Sequence, residues 1–188
     1  MNKSKKKMLL WLLDLVIVLA GVALDQFTKY LAVVHLKGQE AIVLIPGALE
    51  LRYLENRGAA FGMMQGGKVF FLIITPIVLA AILYTLIRMP AESKYNCIHI
   101  LLSCIAVGAI GNMIDRIQLD YVVDFIYISL IDFPIFNVAD MFVSLSCVVG
   151  AMIILFGHQF KDEDFDFLSF RKKQEREEER PKPEEKDV

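Results

Sequence analysis

The run VFFLIITPIVLAAILYTLI, residues 69–87, holds nineteen residues without one charge. At about 1.5 Å of rise per residue, a helix of that length crosses a hydrocarbon core of about 30 Å. Two further runs have the same character. Residues 96–114 are broken only by His99 and small polar side chains, and residues 138–156 only by Asp140 near the start and two serines. A fourth run, Leu9 to Leu24, follows Lys3, Lys5, Lys6 and Lys7. Ala20 to Ala23 loosely resembles a signal-peptide cleavage site, but the three later runs favour a retained span. The composition agrees: 56% of the 188 residues are hydrophobic and the mean hydropathy is +0.51, more apolar surface than one soluble core of this size hides. The expected fold is a membrane all-α bundle of four transmembrane helices.

Basic residues in the short connections orient the bundle. The lysines before the first run, with Arg88 and Lys94 between the second and third, predict cytoplasmic termini. Lys37, Arg52, Arg57, Lys68 and Arg116 in the outer connections make the bias moderate. Within the first outer connection, AIVLIPGALELRYLEN has short β-favouring segments broken at Pro46 and Gly47, which predicts a small β-hairpin or cradle outside the cytoplasm. Residues 1–157 form the expected membrane domain. Residues 158–188, ending REEERPKPEEKDV, offer almost nothing to a core after Phe170 and are expected to be a disordered cytoplasmic tail. The acidic, aromatic segment DEDFDFLSF before it receives no function.

Several classes are disfavoured. A net charge of −2, with no basic stripe, speaks against nucleic acid. Cys97, Cys104 and Cys147 lie in apolar runs without CxxC or zinc-like histidine spacing, and read as small buried hydrophobes. No Ser, His and Asp set gathers on the outer side, since His35 is alone there while His99 and His158 fall toward the cytoplasm.

An acid near hydrocarbon costs a few kcal/mol and calls for a partner or a purpose. Asp14, Asp25, Asp115, Asp124 and Asp140 are such acids, and all but Asp14 map to the outer end of the spans. Asn137 and Asp140 stand three apart at a helix start, so they share a face and point at a common neighbour. Asn137 reads equally as an N-cap and as a site residue, and the two are compatible. Arg116 reads either as a site residue or as an ion-pair partner of Asp115, with Asp25 and Lys29 in the same network. Two adjacent aspartates cannot both ionise cheaply, so such a pair holds one proton and activates a water. Asp124 and Asp140 are the candidates.

Five segments in order, DQFTK (25–29), NRGAAFG (56–62), GNMIDR (111–116), VVDF (122–125) and FNVAD (136–140), resemble lipoprotein signal peptidase, the type II signal peptidase family. The resemblance covers roughly residues 8–157. It implies an aspartic endopeptidase in the bacterial cytoplasmic membrane, with its active site near the outer face, that removes signal peptides from diacylglyceryl-modified prolipoproteins just before the lipidated cysteine. It implies Asp124 and Asp140 as the catalytic pair, a substrate pocket of Asn56, Asn112, Arg116 and Asn137, and structural support from Asp25, Lys29, Gly58 and Asp115. No metal or other cofactor is called for. The expected partners are lipid-modified prolipoproteins and membrane lipid, and the expected state is a monomer. The glycines and alanines of NRGAAFG suit close backbone approach, with Phe61 as a packing aromatic. The competing readings are a small proton-coupled transporter, which needs polar groups through both halves of the bilayer, and a noncatalytic assembly factor whose acids only form ion pairs.

Overall fold

A computed structural model describes residues 2–58, 68–156 and 162–168. The rest of the NRGAAFG segment after Gly58, Phe61 included, and the charged tail from residue 169 onward lie outside the described residues. Among the described residues, four helices are each long and apolar enough to cross a membrane: α1 (Lys3–Leu36), α2 (Lys68–Arg88), α3 (Asn96–Gln118) and α4 (Val138–Phe156). Their apolar side chains face outward, as Ile73, Ile77 and Leu83 on α2 and Leu145, Val148 and Ile154 on α4 illustrate. That inversion of the soluble pattern is what a lipid solvent permits. α1, with 34 residues, runs well past the stretch Leu9 to Leu24. It would measure about 51 Å, so its last turns carry Asp25, Lys29 and Leu36 toward the sheet.

The hairpin is present, and a third strand joins it. β1 (Ile42–Ile45) and β2 (Leu49–Asn56) pair antiparallel through a turn containing Gly47 at φ 69°. β3 (Val122–Tyr127), from the second outer connection, then pairs antiparallel with β2 in the order β1-β2-β3. The register sets Leu54 opposite Asp124 and Asn56 opposite Val122, after an irregularity between Leu51 and Leu54. The β-branched and aromatic residues of VVDFIY suit this third strand, which was not predicted from the sequence. Val123 and Phe125 bury their side chains with Ala32 and Leu36, which seats the sheet on the end of α1.

α3 is the centre of the bundle. Gly108 and Gly111 lie where a Cβ would collide with the Ala139 carbonyl and the Asp25 carboxylate respectively. Only glycine therefore lets α4 and α1 approach α3 this closely. At the opposite end, Asp162–Leu168 forms a short 3-10 segment against the α2–α3 connection: Lys94 Nζ lies 2.5 Å from Asp164, Tyr95 donates to the Asp164 carbonyl at 2.8 Å, and Arg88 to that of Phe167 at 3.0 Å.

Candidate active site

Asp124 and Asp140 arrive from different elements. Asp124 sits on β3 and is 1% exposed. Asp140 is the third residue of α4 and is partly buried. Asn137 joins them: its Nδ2 donates to Asp124 Oδ1 at 2.6 Å, its backbone N–H donates to Asp140 Oδ2 at 3.2 Å, and its Oδ1 accepts from Asp140 N–H at 3.0 Å. The last two bonds make a reciprocal capping box at the α4 N-terminus. Asn137 is thus the α4 cap and, through the same side chain, a bridge to Asp124.

Asn112 on α3 is the neighbour that Asn137 and Asp140 share. Its Nδ2 donates to Asp140 Oδ1 at 2.8 Å and its Oδ1 accepts from Asn137 Nδ2 at 3.2 Å. Asn56, the last residue of β2, donates its Nδ2 to Asp124 Oδ2 at 2.8 Å and accepts from Gly58 N–H at 3.0 Å. Each carboxylate is therefore held by two N–H donors, which fixes both orientations. Burial, followed by the charge of Asp140, pushes the Asp124 carboxyl up to about 7, against the opposing pull of Asn56, Asn137 and Lys29.

Arg116 does not pair with Asp115. Its Nη1 and Nη2 donate to the carbonyls of Asn112 and Gly58, each at 3.3 Å, and its guanidinium stands 4.3 Å over the Phe71 ring of α2. Asp115 pairs instead with Lys29, which takes Asp25 as its other partner. Arg116 therefore remains on the site side while the ion network closes beside it. The expectation that acids gather at one end holds for Asp25, Asp115, Asp124 and Asp140. Asp14 lies deep in α1 and is held by His99 Nδ1 at 2.8 Å and Ser103 at 3.0 Å, away from the other four.

Sequence reasoning passed over Gln26, whose Nε2 donates to Asp115 at 2.9 Å and to Asp25 and the Gly111 carbonyl at 3.2 Å each. Its place beside Asp25 in DQFTK was the available signal, but a lone glutamine gives no direction without its helix neighbours.

Comparison with known proteins places the chain. The family model described as signal peptidase (SPase) II matches residues 17–157. The lipoprotein signal peptidase of Caldanaerobacter subterraneus subsp. tengcongensis is 48% identical over 141 residues, covering 74% of this chain and 91% of the relative. That of Enterococcus faecalis is 42% identical over 142 residues, covering 76% and 84%. Two solved structures described as bacterial membrane enzymes superpose with TM-scores of 0.70 and 0.66, at 32% and 35% identity. They cover 79% and 78% of this chain, and 93% and 94% of their own. With four membrane-length helices and this match across its core, the chain belongs to the signal peptidase II family, the lipoprotein signal peptidases.

Proposed function

We propose that this protein is an aspartic endopeptidase that cuts diacylglyceryl-modified prolipoproteins immediately before the lipidated cysteine, with Asp124 and Asp140 as its catalytic pair. The observation that carries the reading is the bridge of Asn137 and Asn112 between buried Asp124 and partly buried Asp140, two acids from separate elements at the sheet end of a bundle of this family. In the proposed reaction Asp140 takes a proton from the attacking water. Asp124, protonated, donates a hydrogen bond to the scissile carbonyl. As the tetrahedral intermediate collapses, the amine leaves with a proton returned from the pair. The proton taken from water and the proton given to the amine balance across the pair, and no covalent bond forms between the substrate and a side chain.

Asn56, Asn112, Asn137 and Arg116 supply donors around the pair, and the proposed pocket uses them to hold substrate carbonyls. Asp25, Lys29, Gly58 and Asp115 support the pocket from beneath. The basic first residues and the α2–α3 connection support cytoplasmic termini, which puts the sheet and the pair at the outer face of a bacterial cytoplasmic membrane. The substrate's acyl chains would then stay in the outer leaflet while its peptide reaches the pair. The membrane domain is assigned to residues 1–157, acting as a monomer in membrane lipid, with residues 158–188 as its cytoplasmic tail.

The test is cleavage of a purified diacylglyceryl-modified prolipoprotein by the full chain in lipid or detergent, comparing wild type with Asp124→Asn and Asp140→Asn. Asparagine keeps the size and removes the titration. Loss of kcat by roughly a hundredfold to ten-thousandfold in both folded variants is expected. Near-normal turnover in either one would remove that residue from the pair.

A further inference from the structure

Lys29 is 3% exposed and stands at the junction of three connections that lead to the aspartate pair. Its Nζ lies 2.9 Å from Asp25 Oδ2 and 3.1 Å from Asp115 Oδ2, and donates to Asn112 Oδ1 at 2.9 Å. Each partner then reaches the pair. Asp25 Oδ1 accepts the Ala139 N–H at 2.9 Å, one residue before Asp140. Asp115 Oδ2 accepts the Val123 N–H at 3.0 Å, one residue before Asp124. Asn112 touches Asp140 itself. Gln26 braces the two carboxylates across the same gap through one Nε2.

The ammonium also dictates which way the Asn112 amide faces. It has three donors and no acceptor, so only Oδ1 can meet it, and Nδ2 is left to face Asp140. A flipped amide would set donor against donor at Lys29 and acceptor against acceptor at Asp140. Among the described residues, the charges around the pair come from two helices. α1 brings Lys29 and Asp25, α3 brings Asp115 and Arg116, and β2 brings only the uncharged Asn56; β3 and α4 carry the pair. Arg116 is partly buried and bonded to carbonyls, whereas Lys29 is buried and in direct contact with the network.

We propose that Lys29, braced by Gln26, is a positioning residue for the aspartate pair: it sets the backbone beside each aspartate, orients the Asn112 amide toward Asp140, and supplies buried positive charge to both. The proposal rests on Asp124 and Asp140 being the reacting groups. Its charge opposes the upward push on Asp124, so removing it sends Asp124 further up.

The experiment measures kcat, KM and the pH dependence of cleavage of a diacylglyceryl-modified prolipoprotein for Lys29→Met and Gln26→Met in the full chain, with melting in detergent as the fold control. For folded Lys29→Met the expected result is a kcat lower by roughly a hundredfold with little change in KM. The alkaline limb of its pH profile moves up by roughly half a unit or more. A purely structural role would leave that limb in place, and an unmoved limb or an unchanged kcat overturns the proposal. Lys29→Met strands two buried carboxylates and can fail to fold; Gln26→Met, which keeps all three charges, then decides. A kcat lower by about tenfold at unchanged KM supports the clamp, and wild-type kcat overturns it. Asp124→Asn and Asp140→Asn run beside them: if either stays active, the catalytic pair is misassigned, an outcome independent of what Lys29 and Gln26 show.

Discussion

Asn137 donates to Asp124 at 2.6 Å from the residue that caps the helix carrying Asp140. One side chain therefore ties the strand acid to the helix acid, and its loss has two separable parts. Asn137→Ala removes an N-cap, at a cost of about 1 kcal/mol, and strips a buried donor from Asp124, at a cost of about 1–3 kcal/mol. Asn137→Ser restores the cap without reaching Asp124. The expected result is that serine recovers melting temperature but not turnover, and full recovery of turnover by serine would show the bridge to be dispensable.

Gly111→Ala forces a methyl into the Asp25 carboxylate, and Gly108→Ala forces one into the Ala139 carbonyl. The Ala139 backbone cannot move aside, and the Asp25 carboxylate is held in place by Lys29, Gln26 and the Ala139 N–H, so the cost of each overpacking is about 1–3 kcal/mol or more. Gly150→Ala is the internal control, since its nearest neighbour is Leu101 at 3.8 Å, an ordinary contact. Unfolding in detergent should rank Gly150→Ala near wild type and the other two well below it. Equal melting for all three would show that the close approach of α3 is not required.

The raised titration of Asp124 gives stability a pH dependence of known sign. Its folded-state value is about 7 against an ordinary 3.8, so the folded chain binds the proton more tightly. The stability tied to that proton is fully present below the ordinary carboxylate range and is lost as pH rises through about 7. The full difference is about 4 kcal/mol. Melting in detergent should fall between roughly pH 4 and pH 8, and Asp124→Asn should flatten that fall. A wild-type midpoint that rises across this window would contradict the assignment.

The Asp14–His99 pair offers a contrast away from Asp124 and Asp140. Asp14 holds His99 Nδ1 and Ser103, linking α1 to α3, while buried His99 Nε2 has no hydrogen-bond partner among the described residues. His99→Phe removes a hydrogen-bond partner from buried Asp14, leaving Ser103 alone, and should cost about 1–3 kcal/mol. Asp14→Asn with His99→Phe should recover part of that. Turnover per folded molecule should stay near wild type in both. A specific loss of turnover would connect this cluster to the chemistry.

Much of the fold is legible in the sequence. The spans follow from uninterrupted apolar length, a property of neighbouring residues in lipid, and the hairpin follows from β-favouring segments around Pro46 and Gly47. Grouping Asp25, Asp115, Asp124 and Asp140 at one end needed only the order of spans and connections. Three features were decided by tertiary structure alone. β3 exists as a strand because β2 is there to pair with it. Arg116 and Lys29 divide Asp115 and the site between them according to where α1 and α3 place their ends. The bonds from Asp25 to Ala139 and from Asp115 to Val123 set the spacing beside the two acids. Sequence periodicity reports which face of an element a residue occupies, but not which distant backbone N–H it meets. Those pairings depend on how closely α1 and α4 approach α3, and Gly108 and Gly111 set that distance.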